Sequence, residues 1–444
     1  MSGHRLGVLR ATEPGVSVLL RRPGEDAIQL HFGLANLEHA VPIDANTAFN
    51  VGSVAKQITA HLVLLAAQNG MLALDQQANQ LLPELQVHDL TISDLITHRS
   101  GLRDAESLVS LAGLRDLDHY TADDLVSLAC WQRQRAVPEG QFLYSNTNYL
   151  LLAKLLETVH GMDLASLARR RLFDRLGMDA THFKSDPRQL IPCAASAYHL
   201  TSGGWQHSAE PVSLPGPGSL WTTPADLDRW LGHLHDRWQR ADLELPDQNV
   251  VPYQAADHAP YLYGAGLYGG FRSAQRIVFH LGHEQGFSAA VHMVDTGTRV
   301  ICLSNNHAIG DRIAATLITR VLQNPTANLE RSLAQALRTG SARPNESNRD
   351  RCKETLTGPD CGTDLGSFAC PDVPGVLRLS RSNTVLRLWR RGASDSLVPS
   401  GSRSYTGPGY RLTLQLRPGD DAIPAGFILD LDRAPRLHYK RQSG

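Results

Sequence analysis

The residues in this sequence with the clearest chemical potential are a serine and a lysine one helical turn apart. Ser53 and Lys56 stand at the start of a long apolar segment, within Phe49–Gln57 (FNVGSVAKQ). A serine hydroxyl is a weak nucleophile, so a base must accept its proton during attack. At positions i and i+3 of a helix, two side chains lie on one face within reach of each other. The pair therefore predicts a nucleophile, Ser53, activated by the amine of Lys56.

The surroundings of this pair favour a catalytic role over an ordinary serine and lysine on a helix. We predict a buried helix from Ser53 to Asn69, because Ile58–Ala67 is apolar on almost every side. A lysine is seldom buried without a specific partner, so its place in such a helix requires a reason. Burial disfavours the ammonium form, which suits a neutral base. Free N–H groups at the helix N-terminus would stabilise negative charge developing at Ser53.

A second motif, Tyr144-Ser145-Asn146, precedes a predicted helix at Tyr149–Glu157. A tyrosine beside a serine–lysine pair can relay a proton to the leaving group, and Asn146 can hydrogen-bond Lys56 and the substrate amide. Three letters carry little specificity by themselves. The alternative is a helix start, with Ser145 or Asn146 as the N-terminal cap.

A third motif, His280-Leu281-Gly282, stands at the end of a predicted strand. The edge of a strand can supply a backbone N–H opposite that of Ser53, and glycine permits close approach of a substrate. His280 can contact the far end of the substrate or assist proton transfer. With 19 histidines in the chain, a purely structural histidine is the competing interpretation.

The ordered set Ser-x-x-Lys, Tyr-x-Asn and His-x-Gly resembles the β-lactamase-like penicillin-recognising serine hydrolases. This superfamily includes class C β-lactamases, D-alanyl-D-alanine carboxypeptidases, D-aminopeptidases and related esterases. The segments Leu90–Asp104, Gly218–Leu231 and His280–Asn306 are similar to its connecting elements, and the resemblance covers about residues 14–325. The pairing of the second and third motifs looks more like D-aminopeptidases and esterases than like dedicated antibiotic hydrolases, which usually carry lysine at the position of His280.

The resemblance implies a role for each motif residue and a two-step acyl transfer. The implied roles are Ser53 as nucleophile, Lys56 as its activator, Tyr144 as general base and acid, Asn146 as a positioning group, His280 as a substrate or transition-state contact, and the backbone N–H groups of Ser53 and His283, beside Gly282, as the oxyanion hole. The implied substrate is a peptide amide or ester with a D-configured residue near the scissile bond. The reaction requires no metal or other cofactor.

The order of predicted elements indicates an α/β (α+β) fold, an antiparallel sheet flanked by helices with a helical subdomain. Residues 75 to about 265 are predicted to be mainly helical. The clearest predicted elements are the strands Val16–Leu20 and Ile28–Phe32, the helices Tyr149–Glu157 and Leu164–Leu176, the strands Arg276–His280, Ser288–Val294 and Val300–Ser304, and the helix Asp311–Gln323.

The end of the chain has a different pattern. Tyr410, Leu412, Leu414 and Leu416 alternate with polar residues, which predicts a small antiparallel β domain, a barrel or half-barrel. The polar, turn-rich stretch before it suits a linker. We therefore predict a catalytic domain at 1–335, a linker at 336–363 and a β domain at 364–444.

The composition limits the kinds of partner that we expect for this protein. With 43 lysines and arginines against 44 acids, no nucleic-acid partner is expected. The longest apolar run, Leu62–Ala67, is too short to cross a membrane, and we expect a cytoplasmic protein without a standard signal peptide. The six cysteines contain no CxxC pair that would favour a zinc site. The expected partner is a small-molecule or peptide substrate, free or carrier-bound.

Three alternatives remain open at the level of sequence. A β domain after the catalytic domain also resembles the stand-alone penicillin-binding-protein-type thioesterases that cyclise nonribosomal peptides. A metallohydrolase would use His280, His283 and His307, although no HExxH motif supports it. A β-lactamase-like binding protein without catalysis would retain the fold alone.

Overall fold

The computed structural model describes residues 5–6, 9–109, 111–112, 120–208, 211–240, 250–251, 261–307, 309–324, 328, 331–332, 334–335, 363–382, 385–390, 393–417 and 420–442. Nearly all of the predicted linker, 336–362, lies outside the described residues. Two of the six cysteines, Cys352 and Cys361, lie in this segment. The chain forms two compact units that alternate along the sequence. The first comprises Met1–Leu74 and Leu152–Pro344, and the second Asp75–Leu151 and Asn345–Gly444.

The first unit is built around an eight-stranded antiparallel sheet in the order β12-β13-β14-β15-β16-β17-β3-β4. The strands of this unit are β1 Arg5–Leu6, β2 Leu9–Arg10, β3 Val16–Arg21, β4 Ile28–Phe32, β5 Leu34–Asn36, β6 Val41–Pro42, β7 Phe49–Asn50, β8 His182–Phe183, β9 Tyr198–Thr201, β10 Gly204–His207, β11 Leu220–Thr222, β12 Val250–Val251, β13 Tyr261–Gly264, β14 Leu267–Arg272, β15 Gln275–Glu284, β16 Phe287–Val294 and β17 Arg299–Ser304. The predicted N-terminal hairpin and the three predicted late strands are confirmed.

The described helices are divided between the two units. They are α1 Lys56–Gln68, α2 Ile92–Ile96, α3 Ala105–Val109, α4 Ala122–Trp131, α5 Asn146–His160, α6 Leu164–Ala168, α7 Asp174–Leu176, α8 Pro224–Gln239 and α9 Gly310–Gln323. Helices α8 and α9 pack on the sheet. Every residue of β16 is buried, which requires cover on both faces of that strand. Among the described residues, no helix combines the length and apolarity needed to cross a bilayer.

Helix α1 carries Lys56 of the predicted serine–lysine pair into the core of the first unit, and Ser53 lies just before it. A 3₁₀ turn at Gly52–Ala55 leads directly into it. Its first eight residues, from Lys56 to Val63, are all buried, as the apolar pattern predicts. The helix ends before Gly70, whose φ of +69° is the left-handed conformation that glycine favours at a helix C-terminus.

The second unit combines α2, α3, α4 and the first turn of α5 with a closed eight-stranded barrel. The barrel strands are β18 Thr363–Cys370, β19 Val373–Ser382, β20 Val385–Arg390, β21 Ala393–Pro399, β22 Ser404–Gly407, β23 Tyr410–Arg417, β24 Asp420–Leu431 and β25 Leu437–Arg441. The predicted alternation is confirmed, since Tyr410, Leu412 and Leu414 are buried. Pairing of β18 with β25 closes the barrel.

One detail of the predicted elements was wrong. The regular elements described within residues 177–223 are the short strands β8 to β11, not helices. These strands have two to four residues, too few for a period-two pattern to show. The predicted helix Leu164–Leu176 is confirmed with its bounds, and it contains a π-helical turn at Arg169–Phe173 between α6 and α7.

Candidate active site

The predicted nucleophile and its predicted activator are hydrogen-bonded in the first unit. Lys56 Nζ donates to Ser53 Oγ at 2.8 Å and to the carbonyl oxygen of Pro217 at 2.9 Å. Lys56 is completely buried, whereas Ser53 is partly exposed. A buried amine is thus aimed at a hydroxyl that solvent and ligands can reach. This is the arrangement that lysine-assisted attack by serine requires.

The turn that presents Ser53 depends on glycine. Gly52 has a φ of +48°, and a Cβ at this position would lie 2.9 Å from the carbonyl oxygen of His283. The Gly52 N–H donates to Asn50 Oδ1 at 3.0 Å, and the Val51 N–H donates to the carbonyl oxygen of Leu220 at 2.9 Å. The left-handed conformation and the close approach to β15 both select the residue without a side chain.

The end of β15 runs beside this turn. In the described register, β14 pairs with β15 as far as Phe279. Beyond that point, a Cβ added to Gly282 would lie 1.9 Å from the Val51 carbonyl oxygen and 3.3 Å from the Ser53 nitrogen. The backbone at Gly282 and His283 therefore lies against the 3₁₀ turn Gly52–Ala55, which holds the candidate nucleophile and is named the nucleophile turn. This placement fits a pair of N–H donors from Ser53 and His283 around a substrate oxyanion.

His280 is a buried, neutral histidine. Its side chain is 1% exposed, and Nδ1 donates to the Leu281 carbonyl oxygen at 2.6 Å, so the proton resides on Nδ1. Nε2 lies 3.4 Å from the hydroxyl of Tyr263, which can donate to it. Burial, followed by the nearby charge of Lys56, lowers the pKa of His280 to about 3. Its ring therefore adds no positive charge beside the lysine near neutral pH.

The histidines that a metal centre would need do not form one in the described part of the chain. His283 Nε2 lies 3.7 Å from Asp311 Oδ2, and the His283 and His307 rings are 5.4 Å apart. Burial raises the pKa of Asp311, but its hydrogen bond to His283 and further contacts outweigh burial and leave that pKa below its usual value. No group of three or more potential ligands among the described residues is arranged to hold a metal ion.

The second unit holds the Tyr-x-Asn motif at the start of α5. The Asn146 N–H donates to Asp104 Oδ2 at 2.7 Å, and its side-chain amide donates to the carboxylate of Glu106. The helix begins at Asn146, as the alternative interpretation of this motif has it. A capping carboxylate comes from Asp104, whereas the Ser145 hydroxyl has no hydrogen-bond partner among the described residues. A carboxylate is the better group here because it also opposes the positive end of the helix dipole.

Tyr144 is enclosed by two groups that the sequence did not single out. Its ring centroid lies 4.4 Å from that of His98 and 5.1 Å from the guanidinium carbon of Arg433. His98 is completely buried and has a φ of +57°. Its Nδ1 accepts from the Ser145 N–H at 3.2 Å and lies 2.8 Å from the Asn148 side-chain amide. An Nδ1 that accepts carries no proton, so the proton of the neutral ring resides on Nε2.

The predicted site residues thus form two groups. Ser53, Lys56, His280, Gly282 and His283 lie together in the first unit. Tyr144 and Asn146 lie in the second, among residues that sequence reasoning missed, which are His98, Asp104, Glu106 and Arg433. The segment Leu90–Asp104, similar to a family element, was the available signal for two of these. Arg433 offered none, because it lies in the alternating region far along the chain.

Known proteins resemble both the sequence and the fold. A D-aminopeptidase from Gluconobacter oxydans (strain 621H) is 23% identical over 315 residues, which are 70% of this chain and 59% of that protein. The octameric penicillin-binding protein homologue from Pyrococcus abyssi matches 97% of this chain and 96% of its own, with a TM-score of 0.62 and 20% identity. The D-amino acid amidase from Ochrobactrum anthropi SV3, complexed with L-phenylalanine amide, matches 66% of this chain and 86% of its own, with a TM-score of 0.56 and 26% identity.

The matches cover only part of the relative's length but most of this chain. This chain spans about three fifths of the length of the D-aminopeptidase it matches. The Beta-lactamase family matches residues 8–337, well over half of the 444 residues. That span contains the 3₁₀ turn with Ser53, the Tyr-x-Asn motif and the end of β15. The protein therefore belongs to the Beta-lactamase family.

Proposed function

We propose that the protein is a serine hydrolase of D-amino-acid amides or peptides, working through a covalent acyl-enzyme on Ser53. The observation that carries this proposal is the 2.8 Å hydrogen bond between the partly exposed Ser53 hydroxyl and the buried Lys56 amine. An apolar helix has no structural need for a lysine at this position. One of its two hydrogen-bond partners named above is the hydroxyl that must lose a proton during acylation.

The proposed acylation begins with Ser53. The Lys56 amine accepts the hydroxyl proton as Oγ attacks the carbonyl carbon of the substrate. The carbonyl oxygen becomes negatively charged, and the N–H groups of Ser53 and His283 stabilise it. The C–N bond then breaks, and the departing amine takes up a proton. Tyr144 is proposed as the group that passes it on.

The second half of the reaction resolves the acyl-enzyme. A water molecule loses a proton to the same base and attacks the ester carbon, and Ser53 regains a proton as the acid is released. Asn146 is proposed to hold the substrate amide. His280 remains neutral above about pH 4 because its pKa is about 3. Any contact it makes with substrate is thus a hydrogen bond rather than an ion pair.

The names of two related proteins support the choice of substrate. A D-aminopeptidase and a D-amino acid amidase are 23% and 26% identical to this chain. Both names specify an amide bond next to a D-configured residue. The amidase name further suggests that a single amino acid amide is a sufficient probe.

The substrate proposal is tested with D- and L-phenylalanine amide, with ammonia release as the measurement and Ser53→Ala as the control. We expect hydrolysis of the D-amide at least about tenfold faster, which corresponds to about 1.4 kcal/mol of transition-state discrimination. Equal rates for the two enantiomers would remove the stereospecific proposal. A linear peptide thioester tests the cyclase alternative, since a cyclic product would indicate transfer to an internal amine and a free acid would indicate hydrolysis.

A further inference from the structure

The loop between β24 and β25 is a compact element of the barrel. It runs from Asp432 to Arg436, and Leu431 and Ala434 exchange N–H···O hydrogen bonds of 3.3 Å across its base. The Arg436 N–H donates to Asp430 Oδ1 at 2.9 Å, and Ala434 is completely buried. These bonds close the loop on itself and fix the course of its backbone.

Three carbonyl groups of this loop are bound by two adjacent residues of the helical region. The Asp104 N–H donates to the Arg433 carbonyl at 3.0 Å. Arg103 donates from Nε to the Pro435 carbonyl at 2.9 Å and from Nη2 to the Arg436 carbonyl at 3.1 Å. These bonds join backbone to backbone or side chain to backbone, so they do not depend on the side chains of the loop.

Arg103 is itself fixed by an ion pair. Its Nη1 lies 3.1 Å from Asp372 Oδ2, and both side chains are 2% exposed. The other carboxylate oxygen accepts from the Arg133 N–H at 3.0 Å. A buried guanidinium with charged and neutral acceptors on every arm has little freedom. The barrel loop is therefore anchored to the helical region immediately beside Asp104.

The anchored loop delivers the Arg433 guanidinium to the face of the Tyr144 ring, 5.1 Å from its centroid. The Arg433 side chain stays exposed to solvent. Desolvation by its neighbours lowers the pKa of Arg433, but the charges of Asp104, Tyr144 and Glu106 outweigh that effect and leave the pKa above its usual value. Asp104 and Glu106 are also the two carboxylates that bind Asn146. One network thus joins the barrel to both ends of the Tyr-x-Asn motif.

We propose that Arg433, supplied by the C-terminal barrel, is a positioning residue that holds the Tyr144 ring and places a positive charge against it during acyl transfer. This inference rests on the proposed function only where it assigns Tyr144 to proton transfer. His98, from the turn after α2, and Arg433 lie against the ring itself. The charged groups that act on Arg433 are Asp104 and Glu106 at the start of α3 and Asp432 from the loop. These carboxylates stabilise the guanidinium that contacts the ring.

The test compares Arg433→Gln, Arg433→Lys and a control, Arg403→Gln. Arg403 is an exposed arginine on the turn before β22 of the same barrel, so the control removes the same charge without touching the network. The first readout is phenolate absorbance as a function of pH, taken as the difference between each protein and the same protein carrying Tyr144→Phe. The second is kcat and KM for D-phenylalanine amide as a function of pH.

In Arg433→Gln we expect the Tyr144 phenolate to form at higher pH than in the wild-type protein, and kcat at pH 7 to fall roughly tenfold, since one nearby cation typically changes ionisation by at least tenfold. Arg433→Lys keeps the charge but not the planar contact, so it should restore part of both effects. Arg403→Gln should match the wild-type protein. The backbone bonds that anchor the loop remain in all three variants, and unfolding midpoints check this.

Two results would overturn the inference. One is an unchanged phenolate titration in Arg433→Gln. The other is a rise in KM with kcat and its pH profile unchanged, which would make Arg433 a substrate contact instead. The absorbance titration needs no turnover, so it remains readable if the protein hydrolyses no D-amide. Failure of the proposed function and failure of this inference are thus separate outcomes.

Discussion

Replacing Gly282 by alanine should damage the nucleophile without removing any catalytic group. The added Cβ would lie 1.9 Å from the carbonyl oxygen of Val51 and 2.9 Å from its carbonyl carbon, where contacts below 3.0 Å are not tolerated. Either β15 or the nucleophile turn must therefore move by at least about 1 Å. Because the same point is 3.3 Å from the Ser53 nitrogen, that movement separates Ser53 from the strand that faces it.

A misplacement of about 1 Å at reacting groups typically costs about 10²-fold in rate. We therefore expect Gly282→Ala to react about 100-fold more slowly with a fluorophosphonate, measured as the second-order rate of covalent labelling. The matched control is Gly203→Ala, in a turn where the nearest atom to a new Cβ is Thr201 Oγ1 at 3.7 Å, an ordinary contact. Labelling of Gly282→Ala at the wild-type rate, with an unchanged unfolding midpoint, would refute the packing of β15 against the nucleophile turn.

Three further predictions concern buried ionisable side chains. Lys56→Arg should slow fluorophosphonate labelling roughly 10²–10⁴-fold, because a guanidinium stays protonated and cannot act as a base, whereas the exposed Lys440→Arg should have no effect. Arg103→Met should lower the free energy of unfolding by about 3–5 kcal/mol because it leaves Asp372 buried without its cation, and adding Asp372→Leu should recover part of that loss in urea titrations. Burial lowers the pKa of His292 to about 3, so the unfolded chain binds its proton near pH 6.5 while the folded protein resists it. Stability should therefore fall as pH drops from about 6.5 towards 3. In His292→Phe the slope of unfolding free energy against pH over this range should decrease by the equivalent of about one proton. An unchanged slope would contradict a buried neutral ring.

The parts of the fold that could be predicted from sequence are those with a long, uniform pattern. Helix α1 has ten consecutive positions that are mostly apolar, and β16 and β17 are short, mostly apolar segments between turn residues. The barrel strand β23 alternates over eight residues, with Tyr410 and Leu412 inside. In each case burial follows directly from the order of apolar residues, without knowledge of the partner.

The parts that could not be predicted depend on partners distant in the chain. The cap of α5 comes from Asp104, 42 residues before Asn146, and so a local rule that favours Ser145 fails. The contact of Arg433 with Tyr144 joins residues whose separation no local pattern encodes. The union of 75–151 with the barrel in one compact unit has the same origin, since ion pairs such as Arg103 with Asp372 are invisible in either segment alone.

Some properties of the candidate site could likewise be predicted from the sequence, and others could not. The spacing of Ser53 and Lys56 within one helical turn made their hydrogen bond predictable. The neutral state of His280 was not, because it follows from complete burial and from the charge of Lys56, which lies 224 residues earlier in the chain. Sequence motifs thus supplied the candidate reacting groups, while the neutral state of His280 depended on tertiary packing.

Intact-mass spectrometry after exposure to a fluorophosphonate or a β-lactam tests the central claim most directly. If the Ser53 hydroxyl is made reactive by Lys56, the folded protein should gain a single covalent adduct that maps to the peptide containing Ser53, and Ser53→Ala should gain none. Absence of an adduct with every such probe, or an adduct that persists in Ser53→Ala, would contradict the assignment of the nucleophile.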